Sequence, residues 1–261
     1  MIDFHNHLIP GVDDGAASLD QSRASLEAYR AQGVRAVVAT PHLNASLADS
    51  PPALEAYLAR VDEGWESLRA LGAAEFPEVR LERGFEVMLD TPSPRLADPR
   101  LRLAGTSLVL VEFPFMSVPP NAEGTLFALK VAGWTPVIAH PERYSNADAG
   151  GQAAEGWKRV GALLQVNAGS VLGRYGPEAR ERAWTLLERG LADYVASDYH
   201  ARGPLHLAAC REALAAAGGE AQARLLMEEN AGRLLAGEQP LPVEPLRRRA
   251  RTLWSRLFGG G

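Results

Sequence analysis

Met1-Ile2-Asp3-Phe4-His5-Asn6-His7 opens the chain as a short apolar strand that runs straight into two histidines. Strand side chains alternate with period two, so His5 and His7 point to the same side and can share one cation. An HxH pair alone is weakly specific, because surface histidines pair by chance. The remaining strand ends give it weight. Strand-like stretches recur at residues 35–40, 81–86, 107–111, 136–139, 163–167 and 194–196, those at 35–40, 107–111, 136–139 and 194–196 apolar and β-branched. His42 comes just after the first of these, Glu86 ends the next, and Glu112, His140 and Asn167 mark the ends of the three after that. Asp198 and His200 come after the last.

Amphipathic segments separate the strands and carry recognisable ends. Ser18 and Gln21 form a capping box before a helix predicted to run to about Gln32, where Gly33 stops it. Ser50-Pro51-Pro52 opens a longer helix ending near Gly72. Gly133 closes the segment 123–132, and Gly190 closes one that begins at Pro177. Strand–helix alternation predicts parallel strands with right-handed crossovers, an α/β architecture. In a closed parallel barrel every C-terminal strand end faces one rim, where active sites sit. Core packing would account for one or two of the polar strand ends but not for a ring of them.

The 261 residues suit one such barrel, and the 46% hydrophobic content can bury a large core. A net charge of −5 argues against nucleic acid as a partner. The N-terminus lacks the basic start of a signal peptide, and no apolar run is long enough to span a bilayer. A single cysteine forms no internal disulfide, which points to a cytoplasmic chain.

Histidines with carboxylates and no thiolates suit Zn, Mn, Fe or Co in a working rather than a purely structural site. The donors outnumber what one tetrahedral ion needs, so several ions sharing carboxylates are expected, with Glu86 and Asp198 as bridges. Three divalent ions against Asp14, Glu86, Glu112 and Asp198 leave the site at about +2, which attracts an anionic substrate and activates water near neutral pH. His140-Pro141-Glu142-Arg143 places a guanidinium just past one ligand, and Arg202 lies two residues beyond His200. Guanidinium forks fit phosphate oxygens, although surface salt bridges would explain either arginine.

Taken together, the motifs resemble the PHP (polymerase and histidinol phosphatase) metallohydrolases, and within them the protein-tyrosine phosphatases of bacterial capsule and exopolysaccharide loci. The resemblance rests on Ile2-Asp3-Phe4-His5-Asn6-His7, Gly11-Val12-Asp13-Asp14-Gly15, Ala39-Thr40-Pro41-His42 and Gly84-Phe85-Glu86. It continues through Val111-Glu112-Phe113, Val137-Ile138-Ala139-His140-Pro141-Glu142-Arg143-Tyr144, Gln165-Val166-Asn167 and Ala196-Ser197-Asp198-Tyr199-His200. It implies a distorted seven-stranded, TIM-like (β/α)7 barrel over residues 1–238, with 239–261 as a proline-rich linker and basic tail. It implies two or three divalent ions, manganese first. His5, His7, Glu86 and Asp198 would hold one, Glu86, Glu112 and His140 a second, and Asp14, His42 and His200 a third. Arg143 and Arg202 would bind the phosphate, with Asp198 and His200 also serving catalysis. The implied partner is a phosphotyrosine protein, the tail of a bacterial tyrosine kinase.

Other readings compete. Amidohydrolases share the HxH start but typically add a bridging lysine, and Lys130 and Lys158 both fall in helical segments. A small-molecule phosphomonoesterase acting on histidinol phosphate shares metals and mechanism. A metal-stabilised binding module without catalysis is a third reading. A cysteine-dependent phosphatase is excluded, because C-x5-R needs an arginine where Ala216 stands after Cys210. The tail places Leu246, Leu253, Trp254, Leu257 and Phe258 on one helical face and Arg247, Arg248, Arg249, Arg251 and Arg256 mostly on the other. Such a helix packs on the barrel or on a second subunit, or meets anionic lipid.

Overall fold

The computed structural model describes residues 1–247, and the amphipathic tail helix expected from the sequence lies outside the described residues apart from Leu246 and Arg247. In chain order the elements are β1 (Ile2–Asp3), α1 (Leu19–Ala31), β2 (Ala36–Ala39), β3 (His42–Asn44), α2 (Pro51–Glu75), β4 (Arg80–Arg83) and β5 (Glu86–Met88). Then come β6 (Leu108–Glu112), α3 (Ala122–Val131), β7 (Thr135–Ala139), α4 (Gln152–Arg159), β8 (Leu163–Asn167), α5 (Ala168–Val171) and α6 (Pro177–Glu188). β9 (Tyr194–Ala196), α7 (Leu207–Ala216), α8 (Glu220–Arg224) and α9 (Asn230–Leu235) complete the described chain. No described helix is long and apolar enough to cross a membrane.

All strand pairings are parallel, in two sheets ordered β1-β2-β4 and β3-β5-β6-β7-β8-β9. The sequence predicts seven strands, and the described residues form nine. The difference comes from two interruptions. Thr40-Pro41 separates β2 from β3, and Gly84-Phe85 separates β4 from β5. Proline donates no ladder hydrogen bond and glycine brings no packing side chain, so both positions favour a break. Backbone bonds bridge the gaps: Glu86 N donates to Pro41 O (3.0 Å) and Gly84 N to Ala39 O (2.9 Å). The chain ends of the sheets also meet, because Asp198 N donates to His5 O (2.8 Å) and His7 N to Tyr199 O (2.9 Å).

Period-two alternation splits the strands between two cores. Ala36, Val38, Leu108, Leu110, Val137, Ala139, Leu163, Tyr194 and Ala196 pack inward with Ile2 and Phe4, over Ala231 and Leu234 of α9. Val37, Val109, Val111, Ile138, Leu164, Val166 and Val195 face outward into the larger cluster beneath the helices. Strands buried on both faces read as continuous apolar runs, which is why the sequence marks them clearly. Following the inward columns toward the C-terminal ends leads from Leu108 and Leu110 to Glu112, and from Leu163 to Gln165 and Asn167. In β6 and β8 the apolar inward column thus becomes polar at the C-terminal end.

Ser18 caps α1 by accepting from Gln21 N, while Gln21 Oε1 accepts from Ala17 N (2.8 Å). The segment expected to be a linker lies against α8 and α9. Leu241 N donates to Asn230 Oδ1 (2.8 Å), Gln222 Nε2 donates to Glu244 O (3.1 Å), and Leu246 is buried.

Candidate active site

The strand ends bring nine histidine and carboxylate side chains to one place. His5 Nε2 lies 3.1 Å from Glu86 Oε2 and 3.3 Å from Asp198 Oδ1, and His7 Nε2 lies 3.4 and 3.5 Å from the same two oxygens. His42 Nδ1 is 3.1 Å from Glu86 Oε2 and 3.4 Å from Glu112 Oε1. On its other edge His42 Nε2 is 3.5 Å from Asp14 Oδ1, which also lies 3.3 Å from His200 Nε2. His140 Nε2 sits 3.1 Å from Glu86 Oε1 and 3.9 Å from Glu112 Oε2. All the ligand candidates named from the sequence therefore gather here, with Arg143 and Arg202 at the edge.

Three sets have ligand atoms mutually within 4.8 Å: His5, His7, Glu86 and Asp198; His7, Asp14, His42 and His200; and His42, Glu86 and Glu112. The first is the set expected from the sequence. The second adds His7 to the expected trio. The third holds His42 beside Glu86 and Glu112, and His140 Nε2 stands near the same two carboxylates, 3.1 Å from Glu86 and 3.9 Å from Glu112. His140 lies one position off the inward column and reaches Glu86 through a left-handed backbone (φ 37°).

Supporting contacts fix the rings. His5 Nδ1 donates to the Gln165 amide oxygen (2.9 Å), whose NH2 donates to Asn167 Oδ1 (2.8 Å), whose NH2 in turn donates to Asp198 Oδ2 (2.8 Å). His7 Nδ1 donates to Asp13 Oδ2 (2.7 Å), and His200 Nδ1 to the Asp198 carbonyl (3.0 Å). These tautomers are set by the acceptors present. They leave the Nε2 lone pairs of His5, His7 and His200 aimed at carboxylate oxygens. His5 Nε2, His7 Nε2, His42 Nδ1 and Glu86 Oε2 are buried without a hydrogen-bond partner among the described residues. Ring nitrogens this close to carboxylates need a cation between them, either a proton on the ring or a metal ion. Two donors each ~2.1 Å from one ion at angles of 90–110° stand roughly 3.0–3.4 Å apart, close to the separations here. The side chains fit divalent metal ions.

The carboxylates favour positive charge here, and against burial they also raise His5 and His7 above the ordinary imidazole value. Burial opposes charge on His42, but Glu112 and Glu86 outweigh it and raise the imidazole to about 10. Burial also works against ionisation of Glu86, yet His5, His140 and His42 hold it well below the usual carboxylate range. Burial and the neighbouring His7 lower His200. Desolvation disfavours an Asp13 carboxylate, but the His7 contact overrides it and holds Asp13 at about 2.

The sequence leaves open which of Asp13 and Asp14 faces the site, and the structure separates them. Asp13 orients His7 and also accepts from Gly15 N (3.0 Å) and His42 N (3.2 Å). Asp14 reaches the histidine pair and receives Arg202 Nη2 (3.0 Å). A Cβ on Gly15 would stand 2.1 Å from His7 O, so only glycine lets this loop lie against the first strand.

Beside the cluster a cavity of about 420 Å³ opens to solvent, walled by Arg143, Arg174, Tyr175, Asp198, Arg202 and His206 among others. Arg143 Nη1 donates to Asp198 Oδ2 (2.8 Å), and its guanidinium carbon lies 4.2 Å from the Tyr175 ring centre. Sequence reasoning misses Tyr175 and Gln165 as functional candidates, although Gln165 sits on the inward column and period two could have found it. Tyr144 is buried, its hydroxyl donating to Ala139 O (3.1 Å), whereas Phe115 is 96% exposed. Lys158 Nζ pairs with Asp193 (2.7 Å) away from this rim. Burial pushes the Cys210 thiol up to about 12, far from a thiolate nucleophile.

Residues 1–236 match the family model for capsular polysaccharide synthesis proteins CpsB/CapC. The chain is 32% identical over 202 residues to the tyrosine-protein phosphatase YwqE of Bacillus subtilis (strain 168), covering 77% of each. It is 26% identical over 246 residues to the tyrosine-protein phosphatase CpsB of Streptococcus agalactiae serotype III, covering 90% of this chain and 98% of that protein. Among solved structures it resembles one from a study of YwqE from Bacillus subtilis and CpsB from Streptococcus pneumoniae, described as metal-dependent tyrosine phosphatases. That likeness has a TM-score of 0.78 at 29% identity, over 95% of this chain and 100% of the other.

Proposed function

The chain belongs to the CpsB/CapC family, and from that premise we propose that it is a metal-dependent tyrosine phosphatase of capsule or exopolysaccharide synthesis. The observation that carries the chemistry is the pair of Nε2 atoms of His5 and His7, buried and directed at the same oxygens of Glu86 and Asp198. We assign His5, His7, Asp14, His42, Glu86, Glu112, His140, Asp198 and His200 as ligands of two or three divalent ions, manganese first, with Fe, Zn or Co able to serve. When bound, such ions lower the pKa of coordinated water and polarise phosphoryl oxygens.

The chain's own groups set the rest. Asp198 presents Oδ1 to the two histidines, while Asn167 and Arg143 hold its Oδ2. Arg143, packed on Tyr175, is placed to swing its fork onto a phosphate at the cluster, and Arg202 meets the same anion from the Asp14 side. His5 and Glu86 are fully buried, so the reacting phosphate must reach below the rim. Phosphotyrosine extends about 6–7 Å from its Cα and phosphoserine far less, which favours the aryl ester on reach alone.

On the same reading, the two sheets form one distorted seven-segment barrel, with β2–β3 and β4–β5 each counting as one bent strand. Residues 1–238 are the catalytic domain, and the substrate is the tyrosine-rich tail of a bacterial tyrosine kinase. The chain works in the cytoplasm and meets the membrane only indirectly, through the basic segment after residue 238.

Peptide assays test the assignment. kcat/KM for phosphotyrosine peptides should exceed that for phosphoserine peptides by at least about 10²-fold. Equal rates, or a marked preference for histidinol phosphate, would move the protein to the small-molecule phosphatases.

A further inference from the structure

Two of the three guanidiniums around the cavity are already matched by carboxylates. Arg143 donates to Asp198 (2.8 Å) and Arg202 to Asp14 (3.0 Å). Arg174 makes no ion pair or side-chain hydrogen bond among the described residues, yet it walls the same cavity. Asp14 and Asp198 are the only carboxylates lining the cavity among the described residues, so Arg174 leaves the mouth with an uncompensated positive charge, in a protein whose net charge is −5. Burial, followed by the Arg174 charge, holds the neighbouring His206 imidazole below its ordinary value.

The position of Arg174 is built. It comes just after α5, and its backbone N–H donates to Gly169 O (2.9 Å). Gly169 lets the loop lie close, since a Cβ there would come within 3.0 Å of the Tyr175 ring and 3.6 Å of Arg174 Cβ. The adjacent Tyr175 packs against Arg143. The residue placed beside the phosphate-binding arginine is therefore chained to the one that carries the free guanidinium.

We infer that Arg174 is a specificity residue that binds a second anionic group of the substrate peptide, flanking the phosphotyrosine being hydrolysed. The chemistry is a guanidinium fork on a carboxylate or a phosphate. Either an acidic residue or a neighbouring phosphotyrosine can supply that anion. The inference rests on the phosphatase reading and adds a subsite to it. Because Arg174 is exposed, the contact is screened by salt and modest in size.

The test compares three phosphotyrosine peptides of equal length with the manganese-loaded full chain. One has neutral flanks, one has aspartates, and one has a second phosphotyrosine nearby. Wild type should favour at least one anionic peptide over the neutral one, roughly five- to tenfold in kcat/KM, mainly through KM. The preference should shrink at high salt. Which anionic peptide gains identifies the source of the second anion. Arg174→Gln should bring the ratio close to one, and Arg174→Lys should restore part of it. Equal rates on all three peptides in wild type would overturn the subsite while leaving the phosphatase reading intact. A preference that survives Arg174→Gln would overturn it too. No turnover of any peptide would overturn both.

Discussion

His42 and Glu86 are register partners, each the first residue of its strand, and His42 Nδ1 lies 3.1 Å from Glu86 Oε2. The relationship exists because both strands break just before these residues, at Thr40-Pro41 and Gly84-Phe85. A ring that would otherwise trail the end of β2 instead restarts a second sheet. From there His42 faces the Glu86–Glu112 pair on one edge and Asp14 on the other.

That double role makes His42, like His7 and Glu86, an assigned ligand whose loss should be felt at two of the three sets. His42→Ala is expected to lower bound metal and turnover together, since it removes a donor from two of the three clusters. Metal analysis of the purified variant by mass spectrometry, set against its rate, checks this. A variant with full metal content and little activity would contradict the assignment.

Arg143→Ala should separate the two quantities. The metal content stays, while the phosphate loses a preorganised charged donor. Such a donor is worth about 2.7–4 kcal/mol, or roughly 10²–10³ in rate. Tyr175→Ala, which frees the guanidinium without removing it, should have a smaller effect in the same direction. Loss of metal in the Arg143 variant would show that its contact with Asp198 is structural.

Asp13→Asn should weaken metal binding although Asp13 is not assigned as a ligand. Its carboxylate fixes the His7 ring with Nε2 toward the cluster (2.7 Å at Nδ1). Contacts of this kind typically cost about 10- to 100-fold in metal affinity or activity when removed. Metal titration monitored by calorimetry provides the readout, and unchanged affinity would refute the orienting role.

Cys210→Ser should leave turnover nearly intact. The thiol is buried and held protonated, pushed up to about 12, so iodoacetamide should not alkylate it in the native protein at neutral pH. Strong inactivation by the substitution in a folded protein would argue for a thiol mechanism.

Much of this site is legible in the sequence, and the reasons are local. Doubly buried parallel strands show as apolar runs, so Glu112, His140, Asn167 and Asp198 stand out as the polar residues that stop them. Glu86 reads as closing a strand and in fact opens β5, because a two-residue break at Gly84-Phe85 leaves the period undisturbed. His140 reaches Glu86 through a left-handed backbone, which no side-chain pattern encodes. Tyr175 escapes notice because it lies just past a four-residue helix and meets Arg143 only through tertiary packing.

The central claim is that bound divalent metal, held by this histidine–carboxylate cluster, drives hydrolysis of phosphotyrosine. The most direct measurement is phosphate release from a phosphotyrosine peptide by the chelator-stripped protein, before and after stoichiometric Mn²⁺ is returned. The stripped protein should release none, and full turnover should return at two to three ions per chain. Chelator-resistant hydrolysis, or no hydrolysis with the ions restored, would contradict it.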